Sequence, residues 1–292
     1  RYLHLSIRRQ RQMCIRDRPY PPISGGRMRT YNLLKQLATD YDITLVCFGR
    51  PDEMAYDITP LGEFCEYHVV ERPPSPSTVK AALMSLSSPR AITMRLYGTD
   101  AMRDKLTAIL SAKPADMIHV ESFYMLQNLP QGITTPVFLS EPAIEYRAWG
   151  KHARVAKWYT RPGVAIEALK MRMIEPRIWA KADAVGAMSD VDKSLIAKAS
   201  PKACVYLAPN GVDTEFFTPN PSIAKIPNTA IYMGDYKYFP NADAVVYFVN
   251  EILPFIQKKI PDFKLILLGK DPSPDILALQ SCLLYTSDAA DE

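Results

Sequence analysis

Two short stretches carry the residue types that hold phosphates. The first is Pro19-Tyr-Pro-Pro-Ile-Ser-Gly-Gly-Arg27, set directly before a helical pattern. Gly25 and Gly26 let the backbone approach a ligand closely. The helix start behind them offers unbonded N–H groups and a partial positive charge, and Arg27 adds a cation. The plainer reading of Ser-Gly-Gly is a turn. The second stretch is Met233-Gly-Asp-Tyr-Lys-Tyr-Phe-Pro-Asn-Ala-Asp243, where a strand ends at Gly234, a loop bearing Lys237 follows, and a helix begins at Asn241. That is again strand–loop–helix geometry suited to a diphosphate. The carboxylates come next. Glu121 closes the run Asp116–Glu121, at the C-terminal edge of a strand, where open α/β sheets bind ligands. His119 lies two residues earlier on the same strand face and deeper, and reads as a core histidine. Glu141 and Glu145 follow the next run, and either could orient a hydroxyl or cap the helix that follows. Asp190-Val-Asp192 spells a metal-chelating pair, but Ser189 before it fits a helix N-cap with acids in the first turn. No metal and no cofactor are expected.

These residues need elements to position them. Ile43–Gly49, Tyr67–Glu71, Asp116–Glu121, Pro136–Glu141, Asp183–Met188 and Ala203–Leu207 are short, apolar and too continuous for one-faced strands. They read as parallel strands buried on both faces. Helical stripes lie between them, at Arg27–Tyr41 and Asp100–Ala112 among others. Alternation of this kind predicts a doubly wound α/β domain with right-handed crossovers. The stretch Ala208-Pro-Asn-Gly-Val-Asp-Thr-Glu-Phe-Phe-Thr-Pro-Asn-Pro-Ser222 reads as a linker, with Gly211 expected in a left-handed conformation and Asp213 capping the next turn. The alternation then restarts with a strand at Thr229–Met233, a helix over Asn241–Ile260 that Pro254 should kink or break, a strand at Phe263–Gly269, and a helix opening at Ile276.

The 292 residues are 48% hydrophobic and 23% charged, which suits about two domains at roughly 150 residues each. That excludes a disulfide miniprotein, a collagen-like chain and a mostly disordered one. The net charge of +4 is uneven. Residues 1–18 hold six Arg against Asp17, and residues 282–292 hold only acids, so the body is near neutral and does not advertise nucleic-acid binding. Five Cys without a CxxC pair suit a reducing compartment. No apolar stretch reaches the ~18 residues of a membrane span, no signal peptide is expected, and a cytoplasmic location follows. One stretch, 145–181, holds nine Lys and Arg against three Glu, with Trp149, Trp158, Tyr159 and Trp179 interleaved. It suits docking on an anionic membrane; the alternative is a solvated helix face whose aromatics pack inward.

The ends have no periodicity. Arg11–Arg18 and Cys282–Glu292 resemble translated sequencing-adapter read-through, with a native disordered arm and tail as the alternative. Residues 1–17 and 283–292 are expected to stay out of the packed core. The expected organisation is thus an arm at 1–18, an N-terminal domain at 19–207, a linker at 208–222, the start of a second domain at 223–281, and a tail at 282–292.

Over 19–281 the chain resembles glycosyltransferase family 4 of the GT-B fold, the group 1 sugar transferases. The resemblance rests on Pro-Pro-x-Ser-Gly-Gly-Arg27, Ser189-Asp-Val-Asp192, Pro209-Asn-Gly-Val-Asp213 and Pro240-Asn241-Ala-Asp-Ala, together with Phe248 to Pro254, Ile-Pro-Asp262 and Leu-Gly-Lys-Asp-Pro272, in that order and spacing. It implies a GT-B-like α/β fold of two Rossmann-like doubly wound parallel-sheet domains, the second incomplete. The first would hold a glycan or lipid-linked acceptor and the second a nucleotide-sugar donor, with retention at the anomeric carbon and usually no metal. Within the family the chain looks closest to enzymes of exopolysaccharide or surface-glycan synthesis. Gly25, Gly26 and Arg27 would meet the donor from one side and the Gly234–Lys237 loop from the other. Relatives carry an Arg and a Lys where this chain has Asp235 and Pro240 or Asn241, which leaves Lys237 as that loop's cation. Glu121 stands where some relatives place a functional His, and Glu145 falls in a loop that often holds His or Asn; both are the candidate catalytic carboxylates. The family's Glu-x7-Glu donor motif would lie beyond residue 292, and the first strand before Pro19 would be replaced by the arginine-rich arm. This chain as written is therefore expected to be inactive, its full-length parent active. A catalytically silent GT-B-like module that binds glycan or membrane is the alternative. A nicotinamide oxidoreductase is disfavoured because no G-x-G-x-x-G follows a strand.

Overall fold

Short apolar runs separated by amphipathic helices become a parallel sheet wrapped in crossovers. The structure, a computed structural model, describes residues 9–272, 274–279 and 284–287, and the chain divides into two units between Val212 and Asp213. Unit 1 runs β1 (Arg9–Ile15), α1 (Gly25–Leu37), β2 (Tyr41–Gly49), β3 (Glu66–Glu71), α2 (Thr78–Ser87), α3 (Ile92–Tyr97), α4 (Asp100–Ala112), β4 (Met117–Glu121), β5 (Val137–Glu141), α5 (Glu145–Val155), α6 (Arg161–Trp179), β6 (Ala184–Ala187), α7 (Asp190–Ala199) and β7 (Val205–Leu207). The seven strands lie in the order β3-β2-β1-β4-β5-β6-β7, all parallel. Leu45, Val46, Cys47 and Phe48 on β2 are buried in succession, so that strand is covered on both faces. Alternate residues feed two cores. Val46 and Phe48 join Met102, Leu106, Val120 and Leu139 on one side, and Leu45 and Cys47 join Leu34 and Leu61 on the other.

The N-terminal arm overturns its expectation. Residues 9–15 form β1, an interior strand, paired with β2 over Arg9↔Tyr41 to Ile15↔Cys47 and with β4 over Arg11↔Met117 to Cys14↔Val120. Without it, β2 and β4 would each bury an unpaired edge. Met13, Cys14 and Ile15 supply enough apolar side chain to fill the place. The fit has a cost, since Gln12 is buried with neither end of its amide hydrogen-bonded. Residues 1–8 lie outside the described residues.

Unit 2 runs β8 (Thr229–Asp235), α8 (Phe239–Tyr247), α9 (Leu253–Gln257), β9 (Lys264–Lys270), α10 (Pro274–Leu277) and β10 (Leu284–Ser287), with the parallel order β10-β9-β8. Its core gathers Tyr236, Val245, Val249, Leu253, Leu265, Leu267 and Ile276. The helix expected over 241–260 is interrupted by a π turn at Phe248–Ile252. Pro254 has no N–H to give the carbonyl four residues back, and the wider turn absorbs the misfit. The expectation that 283–292 stays out is corrected for 284–287, which pair with Ile266–Gly269 and cover an otherwise open edge of β9. Gly269 is required at its position, because a Cβ there would fall 1.8 Å from the Gly234 carbonyl oxygen.

Asp213 caps the turn after it as expected, accepting from the N–H groups of Glu215 and Phe216 at 3.0 and 2.9 Å. Gly211 does not adopt the expected left-handed conformation. The Asp213 side chain closes the turn by itself, so no positive φ is needed before it.

Candidate active site

In unit 1 the strand order reverses between β1 and β4, and the crevice beyond the C-terminal ends of such strands is where open sheets take ligands. The head of α1, Glu121 and Glu145 all lie at that edge.

Gly25 and Gly26 are the first two residues of α1 and are exposed. The N-cap Ser24 makes no side-chain capping bond, the first turn holds no acid, and a Cβ added at either glycine meets nothing within 4 Å. The turn therefore faces open space with helix-terminal N–H donors. Arg27 is placed differently. It is buried and ion-paired with Glu53, equally buried, so its charge is already neutralised.

Glu121 is joined to this turn by a residue the sequence did not single out. Thr30 Oγ1, buried on α1, lies 2.9 Å from Glu121 Oε2 and 3.0 Å from the Gly26 carbonyl oxygen. Its one hydrogen can go to either acceptor. Burial raises the Glu121 pKa, opposed by the Thr30 bond and by the charges of Arg29 and Arg16. His119 sits deeper, 3% exposed, edge-on to Phe138 and 3.4 Å from an Arg11 nitrogen. Burial, then Arg11, lowers its pKa to about 3, so it is a neutral core residue as expected.

Glu145 opens α5 and lines a cavity of about 320 Å³ with Arg16, Tyr97, Tyr124, Trp149 and His152. Burial raises its pKa against the pull of Arg16 and the Trp149 bond. Arg16 donates to Tyr124 Oη at 3.2 Å, and its charge acts on both Glu121 and Glu145. A larger cavity, about 490 Å³, is lined by Tyr41, Asp42 and Glu66 at the N-terminal ends of β2 and β3. That is the edge opposite the chemistry, so the smaller cavity is the relevant one.

Glu141 is not available to a hydroxyl. It is 2% exposed and accepts from Trp179 Nε1 at 3.0 Å and Phe123 N–H at 3.3 Å. Burial and the nearby Glu175 hold its pKa well above the usual carboxylate range. Glu175 caps α5 through the N–H groups of Glu145 and Tyr146, both at 2.9 Å. Ser189 accepts from Asp192 N–H at 3.1 Å and donates to its carboxylate at 2.9 Å, so Asp192 belongs to the cap of α7. Among the described residues no cluster of three or more His, Cys, Asp or Glu could hold a metal.

Unit 2 holds Gly234 and Lys237. Gly234 pairs with Gly269, one position before the shared register ends at Asp235↔Lys270, and Asn241 Nδ2 bonds the Asp235 carbonyl oxygen at 3.0 Å, closing the turn. Lys237 is exposed on that turn, its N–H bonded to Asp235 Oδ1 at 3.0 Å.

No protein-family model matches the chain, and no curated protein sequence matches it. Solved structures do. TarM superposes with a TM-score of 0.63 at 8% identity, covering 97% of this chain and 77% of its own. The catalytic domain of starch synthase IV from Arabidopsis thaliana, bound to ADP and acarbose, gives 0.52 at 11% identity, covering 96% and 74%. UGT2 of Phytolacca americana, complexed with UDP-2fluoro-glucose and pterostilbene, gives 0.50 at 10%, covering 96% and 72%. At such identities the likeness speaks for architecture, and with the parallel order 3-2-1-4-5-6-7 of unit 1 it gives the chain a Rossmann-like GT-B fold.

Proposed function

We propose that this chain belongs to a glycosyltransferase that moves a sugar from a nucleoside-diphosphate donor to a glycan or lipid-linked acceptor, with retention, in surface-glycan synthesis. The observation that carries the reading is the Gly25–Gly26 turn, open to solvent at the head of α1 and tied through Thr30 to Glu121 at the switch edge. Support comes from the fold neighbours bound to ADP or to a UDP-sugar analogue. As the glycosidic bond breaks, negative charge grows on the leaving diphosphate. Fixed N–H groups at the α1 turn stabilise that charge without reorganising, and Lys237, exposed on unit 2, is a cation of the kind that complements a diphosphate. Glu121, steadied by Thr30, and Glu145, in its cavity, orient acceptor hydroxyls. No metal or cofactor enters this scheme.

The test, run on the full-length parent, is a panel of nucleotide sugars with lipid-linked and free glycan acceptors, reading nucleoside-diphosphate release and the anomeric configuration of the product by NMR. Donor-dependent transfer with retention, abolished in Glu121→Gln, is expected. Donor binding without transfer to any acceptor would instead make the chain a silent binding module. Transfer unaffected by Glu121→Gln would remove the carboxylate from the mechanism.

A further inference from the structure

The basic stretch 145–181 folds so that its charges separate. All three glutamates turn from the solvent side. Glu145 lines the cavity, Glu175 caps α5, and Glu167, fully buried, accepts from Ser85 Oγ at 2.8 Å and Ile92 N–H at 2.5 Å. Of the nine cations only Lys170 follows them inward, bonding the Ser88 carbonyl oxygen at 2.6 Å. Arg147, Lys151, Arg154, Lys157, Arg161, Arg172, Arg177 and Lys181 are all exposed, with no exposed acid among them.

Beside these cations lies an apolar surface. Helix α2 runs parallel to α6: Ala82 meets Gly163, Ser85 meets Glu167, and Ser88 meets Lys170. Gly163 permits the approach, since a Cβ there would come within 2.7 Å of Ala82. At 100° per residue, the flank of α2 beside this contact carries Val79, Leu83 and Leu86, exposed by 52, 61 and 54%, and that of α6 carries Leu169 and Met173, exposed by 57 and 47%. Both flanks face away from the core and run side by side. The turn into α6 adds Val155, Trp158 and Tyr159, with Trp158 exposed by 84%. The other two tryptophans pack inward, Trp179 fully buried and Trp149 against the core.

We propose that this α2–α6 face, with the Trp158 turn at its end, docks on an anionic lipid bilayer. Aliphatic side chains enter the acyl boundary, Trp158 and Tyr159 sit at headgroup depth, and Lys157, Arg161 and their neighbours meet anionic headgroups. Among the described residues no helix is long and apolar enough to cross a membrane, so contact here is peripheral. A second copy of the chain fits less well, because two such faces would bring like charges together. The proposal is independent of the transferase reading, since it concerns binding without donor or acceptor.

The experiment is flotation of the full chain with phosphatidylcholine vesicles, with and without about a third phosphatidylglycerol, alongside tryptophan fluorescence. Flotation only with phosphatidylglycerol is expected, weakened by salt, with a blue shift that Trp158→Phe removes. Each cation near the surface is worth roughly fivefold in binding, so Lys157→Glu with Arg161→Glu should cost about 25-fold or more. Leu83→Glu with Leu169→Glu should abolish flotation while circular dichroism stays unchanged, as both positions are exposed. Equal flotation with neutral vesicles, or unchanged flotation of both double variants, overturns the proposal. So does a chain that ignores vesicles but forms a dimer in sedimentation equilibrium that Leu83→Glu with Leu169→Glu dissolves.

Discussion

Substituting Gly26 by alanine separates what the glycine does for folding from what it does for a ligand. Gly26 is the second residue of α1, and a Cβ there meets nothing within 4 Å. The protein has no steric need for glycine at this point. Alanine in a helix is favoured over glycine by about 0.5–1 kcal/mol, and the first turn takes the lower end of that range. In a domain of this size that corresponds to a rise of roughly 1–2 °C in Tm. Ligand binding should move the other way. The added methyl occupies the space through which a phosphate oxygen reaches the helix-terminal N–H groups, and losing one charge-assisted bond costs about 1.5–3 kcal/mol. That is a drop of roughly 10- to 150-fold in donor affinity and in kcat/KM. The assay pairs thermal unfolding with titration calorimetry of the donor and steady-state transfer, each measured in the full-length parent. A Gly26→Ala protein that is more stable yet binds and turns over donor like the parent would refute the placement of a phosphate at this turn. A less stable one would refute the claim that the turn is sterically free.

Thr30→Val removes the hydroxyl between Gly26 and Glu121 but keeps the shape. It should raise the Glu121 pKa further, because the bond that favours the carboxylate is lost, and the acid limb of the kcat/KM profile should move to higher pH; an unmoved limb would dissociate Glu121 from the rate. Stability should depend on pH through buried groups of opposite sense, His119 against the raised carboxylates Glu141 and Glu175. His119 falls from 6.5 unfolded to about 3 folded, so its contribution is complete above about pH 6.5 and about 5 kcal/mol is lost by about pH 3. Glu175 rises from 4.5 to about 8, so its contribution is complete below about pH 4.5 and is lost as pH climbs to about 8. Denaturant unfolding across pH should show His119→Leu flattening the acid limb and Glu175→Gln the alkaline one; unchanged limbs would contradict these assignments.

Of the ten strands among the described residues, eight were legible because each is a run of apolar residues between turn signals, and that signal is local. β1 was not, since Arg-Gln-Arg-Gln-Met-Cys-Ile has three apolar residues and no alternation. Its place is made by β2 and β4, whose facing edges need a partner more than the segment needs apolar side chains. β10 is legible only through the edge of β9 for the same reason. The site divides in the same way. The positions of Gly25, Gly26, Glu121 and Glu145 follow from strand ends and helix starts, and the structure ties Gly26 to Glu121 through one hydroxyl. That hydroxyl could not be chosen in advance. Thr30 is an ordinary helical residue until α1 is laid across β4, 91 positions away. Arg27 failed in the reverse sense, since its partner Glu53 lies in a turn after β2 that no local pattern links to it. The stretch 145–181 makes the point most sharply. Its excess of cations can be counted in the sequence, but a count cannot say where the glutamates go. Folding buries Glu167 and Glu175 as helix ties and turns Glu145 into the cavity, leaving a solvent side whose carried charges are all Lys and Arg. The field that a membrane or any other partner meets is thus set by which charges the core consumes, and that is settled by contacts between α2, α5 and α6 rather than by composition.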